Sequence, residues 1–264
     1  MAAARSVVIN GDLGSGKSTV SELLAQRLGI RRISVGDLYR EMARQRDMTA
    51  LQLNLHAELD DKIDHCVDQL QSDIAMSGEQ LVVDSRLAWF FFRGALKVHL
   101  ITDPTVAAHR VMRRPADAVE RYGSVDEARR RLGERSESER VRFIQRYGAD
   151  KTRLRNYDVV CDSTRATPEE IVARIVEALP EPPDSTQLFV DPRRIRLTDG
   201  PGADAGPVRL GYARPHFFIV DGRRAVGAAV RAGHTLVAAA LAAEAGETVN
   251  GRSAEAHFAA RRRR

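Results

Sequence analysis

Apolar residues along this chain come in short blocks separated by polar, glycine-containing turns, and the blocks alternate between two periods. SVVIN (6–10) reads as a buried strand and GDLGSG as the turn after it. From Lys17 to Leu28 the apolar residues Val20, Leu23, Leu24 and Leu28 recur at helical spacing. RRISVGDLYREMARQ predicts a short strand and then a helix starting near Asp37, and residues 50–77 a long amphipathic helical region. LVVD (81–84) and KVHLIT (97–102) read as two further strands. Thr105–Arg114 has a helical pattern, and Ser124–Tyr147 is helical and highly charged. YDVVCDST (157–164) is a fourth strand after the first, and TPEEIVARIVEAL (167–179) a helix. That helix carries Thr167 as its cap, Pro168 in its first turn and Glu170 at the capping-box position.

Strands alternating with helices predict an α/β fold, a parallel sheet covered on both faces. PEPPDS (180–185) breaks the pattern with three prolines in six residues. The expected organisation is a first domain over 1–180, a linker over 181–186 and a small α/β domain over 187–264. In the second piece RIRLTDGPGADAGPVRL reads as strand, loop, strand, FFIVDGRR as strand and turn, AVGAAVRAG as a short helix, and HTLVAAALAAE starts as another strand. The chain ends in a basic tail, RRRR.

Composition narrows the class. Hydrophobic residues are 43% and charged residues 29%, which fits a globular protein in water. The net charge of +5 suits a phosphate-bearing ligand without requiring nucleic acid. Cys66 and Cys161 are far apart and lack metal-ligand spacing, so neither a disulfide framework nor a zinc site is expected. No stretch reaches membrane-spanning length, and the start is too short for a signal peptide. The expectation is a cytoplasmic protein, a monomer or small homo-oligomer, with a small molecule rather than a membrane as partner and nucleic acid as the less favoured alternative.

GDLGSGKST (11–19) fits G-x-x-x-x-G-K-[ST], in the strand–turn–helix context that this motif requires. Successive N–H groups of Gly14, Ser15 and Gly16 can line a concave anion site, with the dipole of the following helix behind them. Lys17 would reach the β and γ phosphates, and Ser18 would bind Mg²⁺ through its hydroxyl.

Three downstream groups are candidates for the phosphate acceptor. Asp37 and Arg40 share a helix face, which suits a phosphate grip or, equally, an N-terminal cap with a surface arginine. Asp84 and Arg86 sit at a strand end, where open parallel sheets bind ligands; Asp84 could serve the Mg²⁺ shell and Arg86 a phosphate, or both could be a solvated turn. Arg135, Glu139 and Arg142 fall on one helix face, which suits a nucleotide base and phosphate but also a salt-bridged surface helix.

Taken together, GDLGSGKST, ISVGDLYREMA, VVDSRLAWF, the Arg135/Glu139/Arg142 set, RFIQRYGAD and NYDVVCDST with its PEEIV helix resemble the cytidylate kinase family of P-loop nucleoside monophosphate kinases, in the compact type found in archaea. The resemblance covers roughly residues 5–180. It implies the three-layer P-loop kinase fold, ATP as phosphate donor, Mg²⁺, and CMP or dCMP as acceptor. Position by position it implies that Gly11, Asp12, Leu13, Gly14, Ser15, Gly16, Lys17, Ser18 and Thr19 hold ATP phosphates. Asp37, Arg40 and Arg86 would position the acceptor, and Arg135, Glu139 and Arg142 would match an Arg–Asp–Arg set that contacts the cytidine nucleotide, with Glu in place of Asp. Lys17, Arg110, Arg135 and Arg142 would act on the transferring group. Where the family commonly has an arginine this chain has Ala107; Arg110 matches a later family arginine, and Arg113 or Arg114 could compensate. The arginine-rich stretch 110–146 is the expected lid.

FIVDGRRAVGAAVRAG (218–233) has a short resemblance to the ParB/sulfiredoxin-like fold, through Gly222, Arg223 and Arg224. Two alternatives to the CMP kinase stay open at this level. One is a P-loop kinase for another small acceptor. The other is a nucleotide-dependent regulator whose C-terminal domain binds DNA or protein.

Overall fold

The computed structural model describes residues 5–48, 61–113, 122–197, 206–244, 246–249 and 252–253. The chain divides into two compact units, Met1–Lys151 and Thr152–Arg264. Among the described residues no helix is long and apolar enough to cross a membrane.

In the first unit, strands β1 (Val7–Gly11), β2 (Arg31–Ser34), β3 (Leu81–Asp84) and β4 (Leu96–Ile101) lie in the order β2-β3-β1-β4. Every pair is parallel, with Ile9 level with Asp84 and Gly11 level with Leu100. Val7, Val8, Ile9, Val82, Val83, Val98 and Leu100 are buried almost completely, which explains why their segments read as apolar runs, broken in β4 only by the buried His99. β1 connects leftward over β3 to β2, whereas β3 connects rightward over β1 to β4. The sheet therefore changes direction between β1 and β3, and the crevice at that switch lies beyond Gly11 and Asp84.

Helix α1 (Lys17–Leu28) follows β1 and buries Val20, Leu24 and Ala25. Helix α2 starts at Val35 rather than near Asp37 and runs to Arg44. Ser34, not Asp37, is its cap: the Asp37 N–H donates to Ser34 Oγ at 3.2 Å. Of the expected 50–77 region, Asp61–Met76 forms α3, and residues 50–60 lie outside the described residues. A short helix α4 (Ala88–Phe91) follows β3 where none was expected.

The expected arginine-rich lid helix over 110–146 is two helices. α5 (Pro104–Met112) is capped by Asp103, whose carboxylate accepts from the N–H groups of Thr105 and Val106. α6 (Val125–Tyr147) is capped by Ser124, and residues 114–121 between them, with Arg114, lie outside the described residues. α5 and α6 pack through Ala107, Ala108 and Val111 against Ala128 and Leu132. α6 has two faces. Ala128, Leu132, Glu139 and Phe143 point inward, while Asp126–Arg129, Glu127–Arg131 and Glu137–Arg140 pair on the outside.

The second unit carries β5 (Val159–Asp162), α7 (Pro168–Ala178), β6 (Gln187–Val190), β7 (Ile195–Arg196), β8 (Arg209–Ala213), β9 (His216–Asp221), α8 (Arg223–Arg231) and β10 (Val237–Glu244). Their order is β5-β6-β10-β8-β9-β7. β5 and β6 are parallel, and antiparallel pairing enters with β6–β10 and β8–β9. β6 was not anticipated. Its three buried apolar residues, Leu188, Phe189 and Val190, follow directly on the proline-rich stretch.

The start of α7 is as its sequence dictates. Thr167 Oγ1 accepts from the Glu170 N–H at 3.2 Å, and the Glu170 carboxylate accepts from the Thr167 N–H at 2.7 Å. Glu170 also accepts from the Thr235 hydroxyl at 2.7 Å, and these bonds, Thr235 first, hold its carboxyl below the usual range. Thr167→Ala is expected to lower stability by about 1 kcal/mol, the usual cost of losing such a cap. Chemical denaturation followed by circular dichroism checks this; an unchanged midpoint contradicts it.

Candidate active site

The loop between β1 and α1 is held by backbone geometry. Gly14 and Gly16 adopt left-handed φ values of 79° and 84°. A Cβ on Gly14 would lie 2.9 Å from the Ala107 carbonyl oxygen, and one on Gly11 2.5 Å from that of Leu100. Asp12 ties the loop to β4, accepting from the Thr102 N–H at 3.2 Å. Among the described residues the Ser15 hydroxyl is buried without a hydrogen-bond partner. A cradle with no room for a Cβ at Gly11 or Gly14, and with a buried polar atom left unsatisfied, fits a loop shaped for the phosphates of a nucleotide.

The position of Ala107 now has a physical reading. It is 4% exposed and its backbone abuts Gly14. The nearest arginine on α5 is Arg110, whose Nη1 lies 3.5 Å from the Gly14 carbonyl and 3.5 Å from Thr102 Oγ1. Arg110 therefore brings a cation to the loop from one turn further along.

Lys17 donates to the Gly11 carbonyl at 3.3 Å, crossing the loop's mouth. Burial, followed by the repulsion of Arg86, pushes its pKa down from 10.5 to about 8; Asp84 opposes this and Lys151 adds to it. Between pH 8 and 10.5 the unfolded chain holds a proton that the folded chain has lost, so on Lys17's account folding stability rises with pH across that window. A bound triphosphate supplies counter-charge and restores the proton. At about pH 8.5 triphosphate binding is therefore expected to take up a fraction of a proton. Calorimetry in buffers of different ionisation enthalpy reads this directly; a buffer-independent heat contradicts it.

Ser18 and Asp84 meet as the motif suggests, the Ser18 hydroxyl donating to Asp84 Oδ2 at 3.3 Å. A hydroxyl and a carboxylate are hard oxygen donors of the kind that would hold Mg²⁺. Arg32, which the sequence did not single out, also binds Asp84 Oδ2 at 3.1 Å and Ser21 Oγ at 2.7 Å. Its other nitrogen is 3.5 Å from Asp37 and 3.6 Å from Glu22. Asp37 on α2 is thus linked to Asp84 through one guanidinium. Arg40 lies further along α2, and its side chain is outside the described residues.

Glu139 is the centre of a second cluster. It is 7% exposed and both its oxygens are engaged. Oε1 accepts a short bond from Arg86 and lies 3.4 Å from Arg135, while Oε2 accepts from Lys151 at 2.7 Å. Arg86, reaching from the end of β3, is thereby joined to α6. Arg142 stays apart, with its guanidinium over the Phe143 ring at 5.8 Å from the centroid. Lys151 escaped the sequence reading. Its signal was position alone: it follows directly on the RFIQRYGAD segment, three residues past the glycine that ends α6.

The loop thus carries the cation of Lys17, and the Glu139 cluster those of Arg86 and Arg135. A family model described as an AAA domain matches residues 7–142. The cytidylate kinase of Methanobrevibacter smithii is 32% identical over 173 residues, covering 66% of this chain and 97% of its own. That of Natronomonas pharaonis is 37% identical over 175 residues, covering 66% of this chain and 88% of its own. Among solved structures, an uncharacterized protein from Eubacterium ventriosum shares the fold at TM-score 0.51 and 17% identity, covering 67% of this chain and 99% of that one. With its loop, its parallel sheet and relatives matched over nearly their whole length, the chain belongs to the archaeal-type cytidylate kinase family and is a P-loop kinase.

Proposed function

We propose that the protein transfers the γ-phosphoryl group of ATP to CMP or dCMP, giving ADP and CDP or dCDP. The observation that supports this most is the pairing of two cationic sites across one crevice: Lys17 on the phosphate loop, and Arg86 with Arg135 around Glu139. The choice of cytosine comes from the relatives, which are named cytidylate kinases.

The chemistry asks for positioning and charge neutralisation more than for covalent catalysis. An oxygen of the acceptor's phosphate forms the new bond to the γ phosphorus as the bond to the β-phosphate oxygen breaks. That oxygen is already anionic at neutral pH, so no general base is needed. Lys17 and Arg110 serve the donor side; Arg86 and Arg135 serve the acceptor and the transferring group. Mg²⁺ held by Ser18, Asp84 and the donor phosphates would add further neutralisation. The α5–α6 pair supplies the cover that keeps water out.

A steady-state panel of CMP, dCMP, UMP, AMP and GMP with Mg²⁺-ATP tests the reading. The expected outcome is a kcat/KM for CMP or dCMP at least about tenfold above the others, the scale of one base-edge hydrogen-bond set. Equal turnover of all five, or none, contradicts it.

A further inference from the structure

Helix α6 ends at Tyr147 on Gly148, which takes a left-handed φ of 64°. The N–H groups of Gly148 and Ala149 bond back to the carbonyls of Ile144 and Phe143, and Ala149 is buried, so the chain folds back along the helix it has just left. The next two residues then pair with two consecutive residues of α6. Asp150 accepts from Arg140 at 2.9 Å, and Lys151 donates to Glu139 at 2.7 Å. The first of these pairs is partly open to water. In the second, both side chains are about 10% exposed or less.

Burying a lysine there has a cost that a hydrophobic residue would avoid, and the pair by itself is weak evidence of stabilisation. Its geometry suggests another use. Lys151 occupies Oε2 of Glu139, while Arg86 and Arg135 share Oε1. With Oε2 engaged, the carboxylate cannot turn to grip either guanidinium with both oxygens, which is its strongest geometry. Lys151 also lies 5.8 Å from the centroid of the Phe143 ring, which fixes its ammonium from a second side.

We propose that Lys151 is a positioning residue for the acceptor: by holding one oxygen of Glu139 it sets the orientation in which Arg86 and Arg135 are presented to the acceptor's phosphate. This rests on the reading of the site as a nucleoside monophosphate kinase. Without Lys151, Glu139 closes on Arg86 and draws it from the acceptor, while the phosphate loop and Lys17 keep their places.

The test is steady-state kinetics of wild type, Lys151→Met, Lys151→Gln and Lys151→Arg, with separate KM values for ATP and for the monophosphate, and thermal melts alongside. The acceptor is CMP, and then whichever monophosphate the wild type turns over fastest, so that loss of cytosine preference leaves the test intact. The expected result for Lys151→Met and Lys151→Gln is an acceptor KM raised about tenfold with the ATP KM within about twofold, and recovery of most of the loss in Lys151→Arg. If Lys151→Met does not fold, Lys151→Gln decides on the same criterion. An unchanged acceptor KM, a joint rise of both KM values, or an arginine variant no better than glutamine overturns the proposal while an active wild type leaves the kinase reading standing. A wild type that turns over no monophosphate overturns both.

Discussion

Lys17→Met is expected to lower kcat/KM for phosphoryl transfer by about 10³-fold or more, without loss of stability. The catalytic loss is of the size seen when a preorganised charge or hydrogen bond is removed from where transition-state charge develops. The second half of the expectation separates this residue from a structural one. Lys17 sits as a cation in a buried place, repelled by Arg86 and Lys151. Replacing it with an apolar side chain of similar length removes a desolvated charge, so the melting temperature should hold or rise. Activity within tenfold of wild type, or a melting temperature that falls together with activity, contradicts this account of the loop.

Glu139→Gln is expected to show the opposite pattern, losing both stability and acceptor binding. A single carboxylate joins Arg86, Arg135 and Lys151, and its pairing with Lys151 is nearly closed to water. An amide keeps the shape, removes the charge and turns two donors toward cations. Breaking a buried pair from one side costs about 3 to 5 kcal/mol; with Arg86 and Arg135 partly exposed, the lower end, about 3 kcal/mol, is the expected loss. Denaturant unfolding measures it, and the acceptor KM should rise with it. Glu139→Asp keeps the charge and should retain most of the stability. A glutamine variant as stable as wild type would falsify the role of Glu139 as the hub of this cluster.

These two residues also mark what could be read from the sequence. The phosphate loop was legible because its meaning is local: the glycines, the lysine and the serine act within one turn, and the strand before and helix after are set by adjacent residues. The strands of the first unit were legible for a related reason. Strands buried on both faces must be largely apolar: Val7–Ile9 and Leu81–Val83 are so throughout, and Val98–Ile101 is broken only by the buried His99. Helical spacing places Arg135 and Arg142 beside Glu139, but it says nothing of its other partners, Lys151 and Arg86. The structure keeps Arg135 on Glu139, leaves Arg142 on Phe143, and adds Lys151 through a chain reversal.

Other departures have similarly non-local causes. Ser34 and Asp37 are both good caps by composition, and the one that caps is fixed by where β2 ends in register with Asp84. Arg32 reads as one of two strand-end arginines, yet the sheet order places it against Asp84 from the neighbouring strand. β6 is four residues long and draws its identity from pairing with β5 and β10 rather than from any pattern of its own. The gap in the expected lid is an exception, because α5 and α6 each carry a cap that the sequence displays, Asp103 and Ser124.

The proposed passage of phosphate from ATP to a cytidine monophosphate needs two nucleotides in one crevice. Its most direct test is a competition: wild-type protein with Mg²⁺-ATP labelled in the γ position and an equimolar mixture of CMP, UMP, AMP and GMP, the labelled diphosphates being separated and counted at early times. CDP is expected to carry most of the label, and Lys17→Met to produce almost none. Label spread evenly over the four diphosphates, or released only as inorganic phosphate, would contradict it.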